Sequence, residues 1–82
     1  MYEIIVSDKA KKQLSKLSPD IRDRMGIALE RIRIRPQHFV LRLVGSPYYR
    51  LRVGDYRVIL NIINVKLVIM IIEIGHRKNI YD

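Results

Sequence analysis

Three arginines stand close together around a short loop in the second half of the chain. Gly54 and Asp55 separate an alternating run of apolar and polar residues from a second strand-like run, which is typical of a hairpin with a two-residue loop. Such a loop pairs Arg52 with Arg57, and the two-residue period of a strand places Arg50 on the same face. Because like charges directly opposite each other destabilise a sheet, the pairing favours a shared anionic ligand, and a phosphate suits converging guanidinium groups.

A structural interpretation of these arginines is equally open. They are then solvated strand residues with splayed head groups, or Glu73 neutralises one of them. A three-residue loop at Asn64–Lys66 would place Glu73 opposite Arg57. The register of this second hairpin does not follow from the sequence.

The end of the chain carries a second group of reactive side chains. His76, Arg77 and Lys78 follow Gly75 at the end of an apolar run, and Tyr81 comes shortly after. Histidine titrates near neutrality, and a tyrosine among cations ionises more readily, so both are candidate proton-transfer groups. The alternative is a solvated basic end in which Tyr81 packs against the fold.

Few other residues suggest chemistry. Tyr48 lies beside the arginines and can stack on a base, whereas alternation turns Tyr49 into the core. His38 is interpreted as a loop residue. With two histidines and no cysteine the chain lacks the ligands of a metal site, and no glycine-rich phosphate loop is present, so no metal or cofactor is predicted.

The hydrophobic pattern predicts the elements that position these side chains. A strand over 2–6 precedes two helices, for which Ser7 and Ser18 are good N-caps, and Pro36 ends the second helix. The order β-α-α-β-β-β-β predicts an α+β fold, an antiparallel meander sheet packed on an N-terminal helical hairpin. The nearly continuous apolar pattern of the later strands indicates that much of the sheet is covered on both faces, although one face must still carry the arginines. The remaining strands are predicted over 39–43, 49–53, 56–60 and 67–74.

Length and charge set the broad class of protein. Eighty-two residues predict a single domain, 1–82, and sixteen Lys and Arg against eight Asp and Glu give a net charge of +8. Such basicity favours nucleic acid, an anionic membrane or an acidic protein as partner. The absence of cysteine favours a reducing compartment, and polar residues interrupt the apolar stretch 58–74, which is therefore not a membrane span. We expect a basic cytoplasmic domain without a leader or membrane segment.

Two segments resemble the RelE branch of the RelE/ParE toxin superfamily, with archaeal members the most similar. They are YRLRVGDYRV at 49–58 and EIGHRKNIY at 73–81. The resemblance implies a RelE/ParE-like, microbial-ribonuclease-like fold and a toxin of a type II toxin–antitoxin system. It further implies a ribosome-dependent endoribonuclease that cuts messenger RNA in the A site by 2′-OH attack, without metal, and so inhibits translation. The implied partners are the ribosome, messenger RNA and an acidic RelB-like antitoxin, with operator DNA contacted only through the antitoxin complex.

The same resemblance assigns roles to individual residues. It implies that Arg57 stabilises the scissile phosphate, that Arg77 binds phosphate and the leaving group, and that Tyr81 stacks or assists proton transfer. Arg50 and Arg52 stand at positions that are often lysine in the family. Because arginine does not deprotonate in proteins, these two act as electrostatic clamps, or His76 or Tyr81 takes the proton. The catalytic candidates are thus Arg57, Arg77, Tyr81 and Arg52, and the RNA-binding candidates are Arg50, His76, Lys78 and Tyr48.

Two other functions remain open at this point. One is a ParE-like toxin that inhibits DNA gyrase by binding, although that branch generally lacks the charged residues found here. The other is a non-catalytic RNA- or ribosome-binding module, which basicity alone would serve equally well.

Overall fold

The chain folds in the predicted order, β-α-α-β-β-β-β. The structure is a computed structural model, and it describes residues 1–78. The elements are β1 (Glu3–Val6), α1 (Asp8–Ser15), α2 (Pro19–Ile34), β2 (Val40–Arg42), β3 (Tyr49–Val53), β4 (Tyr56–Ile63) and β5 (Val68–His76). No helix within residues 1–78 is long and apolar enough to cross a membrane.

Local sequence signals account for the limits of both helices. The Ser7 hydroxyl accepts a hydrogen bond from the Ala10 amide at 3.1 Å and so caps α1. Ser18 caps α2 in the same way, and the fixed φ of Pro19 suits the first helical position. Helix α2 ends at Ile34, where the following Pro36 disfavours a helical conformation of the residue before it.

The five strands form one mixed sheet in the order β1-β5-β4-β3-β2. Strands β2 to β5 make the predicted antiparallel meander. Strand β1 adds to it in parallel beside β5. Parallel neighbours cannot be joined by a tight turn. Strands β1 and β5 can be parallel because all the other elements lie between them in the sequence.

One apolar core lies between the helices and one face of the sheet. Ala10 of α1 and Met25 of α2 are fully buried in it, as are the sheet residues Leu60, Ile69 and Ile71. Both helices contribute to this same core. The opposite face of the sheet carries the arginines, as the sequence requires of one face.

Strand ends differ from the prediction by one to three residues. Strand β1 begins at Glu3 rather than residue 2, and β2 covers only Val40–Arg42 rather than 39–43. Leu67 takes a left-handed conformation (φ 54°) after the 3-10 turn Asn64–Lys66, so β5 begins one residue later than predicted. Strand β4 runs to residue 63 and β5 to His76, both beyond the predicted ends.

Strand β5 contains one extra residue, which changes its register against β4. Leu60 pairs with Ile71, whereas the preceding Ile59 pairs with Glu73, so that Ile72 forms a bulge between them. The alternative in which a three-residue loop sets Glu73 opposite Arg57 is therefore not the one that the structure adopts. The connection between β4 and β5 comprises four residues, and the bulge shifts the register once more.

Candidate active site

The hairpin between β3 and β4 brings two arginines directly opposite each other. Val53 pairs with Tyr56 across the two-residue loop, and Arg52 pairs with Arg57, as the sequence predicts. Gly54 adopts φ +59°, a left-handed conformation that glycine takes without the steric cost of a Cβ. The turn therefore sets the register that opposes the two charges.

Three arginines, Arg50, Arg52 and Arg77, converge around Arg57, and we call the four together the arginine cluster. Arg57 is half-buried, and its Nε atom is fully buried. Burial lowers the pKa of Arg57 from its ordinary value, and the positive charges of Arg50, Arg52 and Arg77 lower this pKa further. The guanidinium is therefore partly desolvated in a positive environment, which is favourable for an anion.

Arg77 reaches the cluster because the chain end is fastened to the hairpin. Its amide donates a hydrogen bond to the carbonyl of Asp55 at 2.9 Å. Gly75, which lacks a side chain, is the residue of β5 opposite Arg57. Strand β5 therefore places no side chain opposite Arg57. Two residues after Gly75, it places the cationic Arg77 beside the Gly54-Asp55 loop.

The Glu73 carboxylate lies beside the arginine cluster, on strand β5. Glu73 lies on the arginine face opposite Ile59, and its carboxylate is 3.4 Å from the Lys9 ammonium of α1. Its partner in the structure is therefore a lysine from a helix. The alternative in which Glu73 lies directly across from Arg57 is excluded by the register.

Arg52 stands at the tip of the cluster, where the sheet meets α2. It borders a depression of about 350 Å³ whose other walls include Arg24, Arg31 and Gly54. Positive charge therefore continues from the arginine face over the hairpin to the helix. The wider depressions beside β1 and along α2 contain no member of the arginine cluster.

His76 does not join the arginines. It pairs with Tyr56, which packs against the core, so its side chain lies on the opposite face of the sheet from Arg57. The rings of Tyr56 and His76 meet edge to face at 5.3 Å. The Nδ1 atom of His76 accepts a hydrogen bond from the Lys78 amide at 3.3 Å.

The other predicted residues divide between the periphery and the undescribed end. Lys78 is exposed, one residue beyond Arg77. Tyr48 is 38 % exposed and directly precedes β3, at the end of the strand that is away from the hairpin loop. Tyr81 lies outside the described residues, so its assigned role stays a prediction.

Two apolar residues beside the cluster were not among the predicted site residues. Leu41 pairs with Arg50, and with Phe39 it lines a depression that Arg50 and Arg52 complete. The strand-like pattern of 39–43 was visible in the sequence. Its register was not, because the six residues between β2 and β3 do not form a recognisable short turn.

The cluster can bind and stabilise a phosphate but cannot itself act as a base. Guanidinium groups donate several hydrogen bonds to phosphate oxygens and remain protonated in proteins. Donors held in place by a sheet stabilise negative charge that develops during a reaction without further reorganisation. Within residues 1–78, no group of three His, Asp or Glu side chains is placed to hold a metal ion.

A family model and several solved structures resemble this chain. The model, described as the ParE toxin of the parDE type II toxin–antitoxin system, matches residues 4–81. None of the curated proteins matches the chain.

Several solved structures that match come from RelE–RelB toxin–antitoxin complexes. RelE in the RelE–RelB complex of Pyrococcus horikoshii OT3 is 27% identical with a TM-score of 0.82, covering 96% of this chain and 98% of that one. The chain in the intact Escherichia coli RelBE complex is 26% identical with a TM-score of 0.80, covering 93% and 96%. The corresponding chain from the Methanococcus jannaschii RelB–RelE complex is 25% identical with a TM-score of 0.75, covering 95% of each chain.

Proposed function

The chain belongs to the ParE toxin family of type II toxin–antitoxin systems, and within this family we propose that it is a ribosome-dependent endoribonuclease. Its substrate is messenger RNA in the ribosomal A site. The observation that carries the proposal is the convergence of Arg50, Arg52 and Arg77 on the half-buried Arg57. The similarity of the fold to RelE toxins supports the same reaction class.

The proposed reaction is an internal transfer of a phosphoryl group. A ribose 2′-OH attacks the adjacent phosphorus, and the bond to the 5′ oxygen of the next nucleotide breaks. The products are a 2′,3′-cyclic phosphate and a 5′-OH end. DNA lacks the attacking hydroxyl, so it is not a substrate.

In this proposal Arg57 binds the scissile phosphate and stabilises the extra negative charge of the phosphorane. Its partly buried position makes that interaction stronger than it would be in water. Arg52 and Arg50 hold neighbouring phosphate oxygens from β3. Arg77, beside the hairpin loop, stabilises the leaving oxygen.

Proton transfer needs a group other than these arginines. We assign it to Tyr81, on the sequence resemblance alone. His76 is a poorer candidate, since its ring packs against Tyr56 on the opposite face of the sheet. Lys78 and Tyr48, at the edges of the cluster, are proposed to contact RNA outside the scissile linkage.

The test is cleavage of messenger RNA on purified ribosomes, with 5′-OH ends mapped at nucleotide resolution. Arg57→Gln and Arg77→Gln should each reduce the rate by about 10²–10³-fold, as removal of one transition-state donor does in other enzymes. Arg22→Gln, an exposed arginine of α2, serves as the matched control. Full activity of both cluster variants, or no new 5′-OH ends with the wild-type protein, would contradict the proposal.

A second candidate is inhibition of DNA gyrase, the activity that the sequence resemblance offers for ParE-like members of the superfamily. The two candidates separate in one pair of assays. An endoribonuclease cuts ribosome-bound message and leaves gyrase supercoiling unchanged, whereas a gyrase inhibitor has the opposite result.

The proposed partner is an acidic RelB-like antitoxin. The net charge of +8 and the exposed arginine face are suited to an acidic chain, and the similar Pyrococcus and Escherichia coli chains were solved in complexes with RelB. Binding should weaken as salt rises and should abolish cleavage. Gel filtration of the co-expressed pair, followed by the ribosome assay, tests both expectations.

A further inference from the structure

A small depression adjoins the arginine cluster at the edge of the sheet. Its volume is about 200 Å³, and Phe39, Leu41, Arg50 and Arg52 form its walls. Two walls are apolar and two belong to the proposed phosphate-binding cluster. Leu41 pairs with Arg50 across β2 and β3, and this backbone register fixes the apolar side of the depression beside the cationic side.

Folding leaves the apolar walls of this depression in water. Phe39 is 47 % exposed and Leu41 is 63 % exposed. Strand β2 is the outermost strand of the sheet. An exposed aromatic ring lies beside an exposed leucine. Binding of a ligand that removes both from water is therefore favourable.

We propose that this depression binds one unpaired nucleobase of the RNA whose phosphate lies on the arginine cluster, and the proposal rests on the endoribonuclease function above. An RNA strand carries a flat apolar base and an anionic phosphate on the same nucleotide. One ligand therefore satisfies both kinds of wall. The base stacks on Phe39 and against the planar guanidinium groups, and Leu41 closes the edge of the ring.

The proposal implies a role in positioning rather than in the chemical step. When the base is held beside Arg50 and Arg52, its nucleotide cannot rotate freely. The adjoining phosphate therefore has fewer possible orientations on the arginine cluster. Stacking on an aromatic ring tolerates every base, because each has a π face. The depression therefore selects an unpaired nucleotide and not a particular codon.

Binding of a short single-stranded RNA tests the proposal directly. Every ribose carries a 2′-O-methyl group, which blocks 2′-OH attack, and a matched series lacks one base at each position in turn. For one abasic position the wild-type protein should bind about 5- to 150-fold more weakly, the range expected for loss of one base–aromatic stack. Fluorescence anisotropy at low salt measures the dissociation constants.

Variants identify the wall that is responsible. Phe39→Ala should bind the complete and the abasic RNA equally, and Phe39→Tyr should restore the difference. Leu41→Ala should reduce the difference in part. Ile34→Ala is its matched control, because Ile34 is 64 % exposed but lies at the end of α2.

A measurement on the wild-type protein avoids any doubt about folding of the variants. In a ¹⁵N NMR titration, the amides of Phe39 and Leu41 should shift with complete RNA and much less with the abasic RNA. Equal shifts with both RNAs, equal affinities for both, or discrimination that survives Phe39→Ala would each overturn the proposal. It would also be overturned if Phe39→Ala weakened only antitoxin binding.

The ribosome assay separates this proposal from the proposed function. If wild-type protein cleaves message but does not distinguish abasic RNA, the base site is wrong and the endoribonuclease function stands. If it distinguishes abasic RNA but produces no 5′-OH ends, the function is wrong and the depression still binds a base.

Discussion

Replacing Arg52 with glutamine should make the protein more stable and less active at the same time. Arg52 pairs directly with Arg57, so the wild-type fold holds two like charges opposite each other. Glutamine keeps much of the side-chain length and its hydrogen-bonding capacity but removes one charge. The variant therefore isolates the electrostatic cost of assembling the cluster.

The size of the effect follows from the cross-strand geometry. Charge pairs directly across an antiparallel ladder change stability by about 0.2–1 kcal/mol, with like charges unfavourable. For a domain of this length, 1 kcal/mol corresponds to a change in Tm of about 4–8 °C. We therefore expect Arg52→Gln to raise Tm by about 1–8 °C. The charges of Arg24 and Arg31, which line the same depression as Arg52, act in the same direction.

Salt provides an independent check on the cause. Raising ionic strength from about 0.1 M to about 1 M shortens the Debye length from about 10 Å to about 3 Å, which weakens repulsion between exposed charges. The difference in Tm between Arg52→Gln and the wild type should therefore shrink at high salt. Thermal unfolding followed by far-UV circular dichroism measures both proteins at each salt concentration.

An arginine that makes favourable contacts serves as the control, because its replacement should change Tm in the opposite direction. Arg33 donates hydrogen bonds to the Glu30 carboxylate at 3.1 and 3.0 Å and to the carbonyl of Tyr2 at 3.2 Å. Arg33→Gln should lower Tm by at least about 2 °C, since lost hydrogen bonds destabilise the fold.

Arg52→Gln should lower the cleavage activity while it raises the stability. Arg52→Gln should reduce cleavage of ribosome-bound message by about 10²–10³-fold despite the higher Tm. A lower Tm for Arg52→Gln at low salt would show that the two arginines do not repel each other. A higher Tm with unchanged cleavage would remove Arg52 from the proposed site.

Three further substitutions test the scaffold, each by urea unfolding of the purified protein. Gly54→Ala should lower the free energy of unfolding by about 1–2 kcal/mol, because an alanine at φ +59° is strained, and an unchanged value would be inconsistent with the left-handed turn. Gly26→Ala, inside α2 with no atom within 4 Å of the added Cβ, should raise it by about 0.5–1 kcal/mol, so a loss there would reveal an unseen contact. Gln13→Leu should cost about 1–3 kcal/mol, because its Oε1 accepts a hydrogen bond from the Ile74 amide at 2.6 Å, and a stable variant would mean that this amide finds another partner.

Much of the fold could be predicted because its signals are local. Ser7 and Ser18 cap the two helices through atoms three residues away, and Pro36 lies just beyond the end of the second. The Gly54-Asp55 loop sets the register of β3 against β4 for the same reason. A two-residue loop leaves the chain only one way to pair, and so the opposition of Arg52 and Arg57 follows from the sequence.

The β5 side of the site depended on contacts between distant parts of the chain. The Ser7 hydroxyl donates to the Ile72 carbonyl at 2.8 Å, and Gln13 accepts from the Ile74 amide. Both contacts hold backbone groups in or beside the bulge in β5. The bulge turns Glu73 onto the arginine face, opposite Ile59 rather than Arg57, and these contacts tie that part of β5 to the start of the chain.

The hydrophobic pattern, the helix caps and one tight hairpin were enough to predict an α+β fold and three arginines on one face, because each depends on residues close together in the chain. Only the tertiary structure showed three further features. These are the position of Arg77 beside the cluster, the position of His76 on the other face, and the depression that Phe39 lines. A shift of one residue turns every side chain of a strand to the opposite face. The shifted part of β5 contacts α1, which is distant in sequence: Gln13 and Ile74, joined by a hydrogen bond, are 61 residues apart.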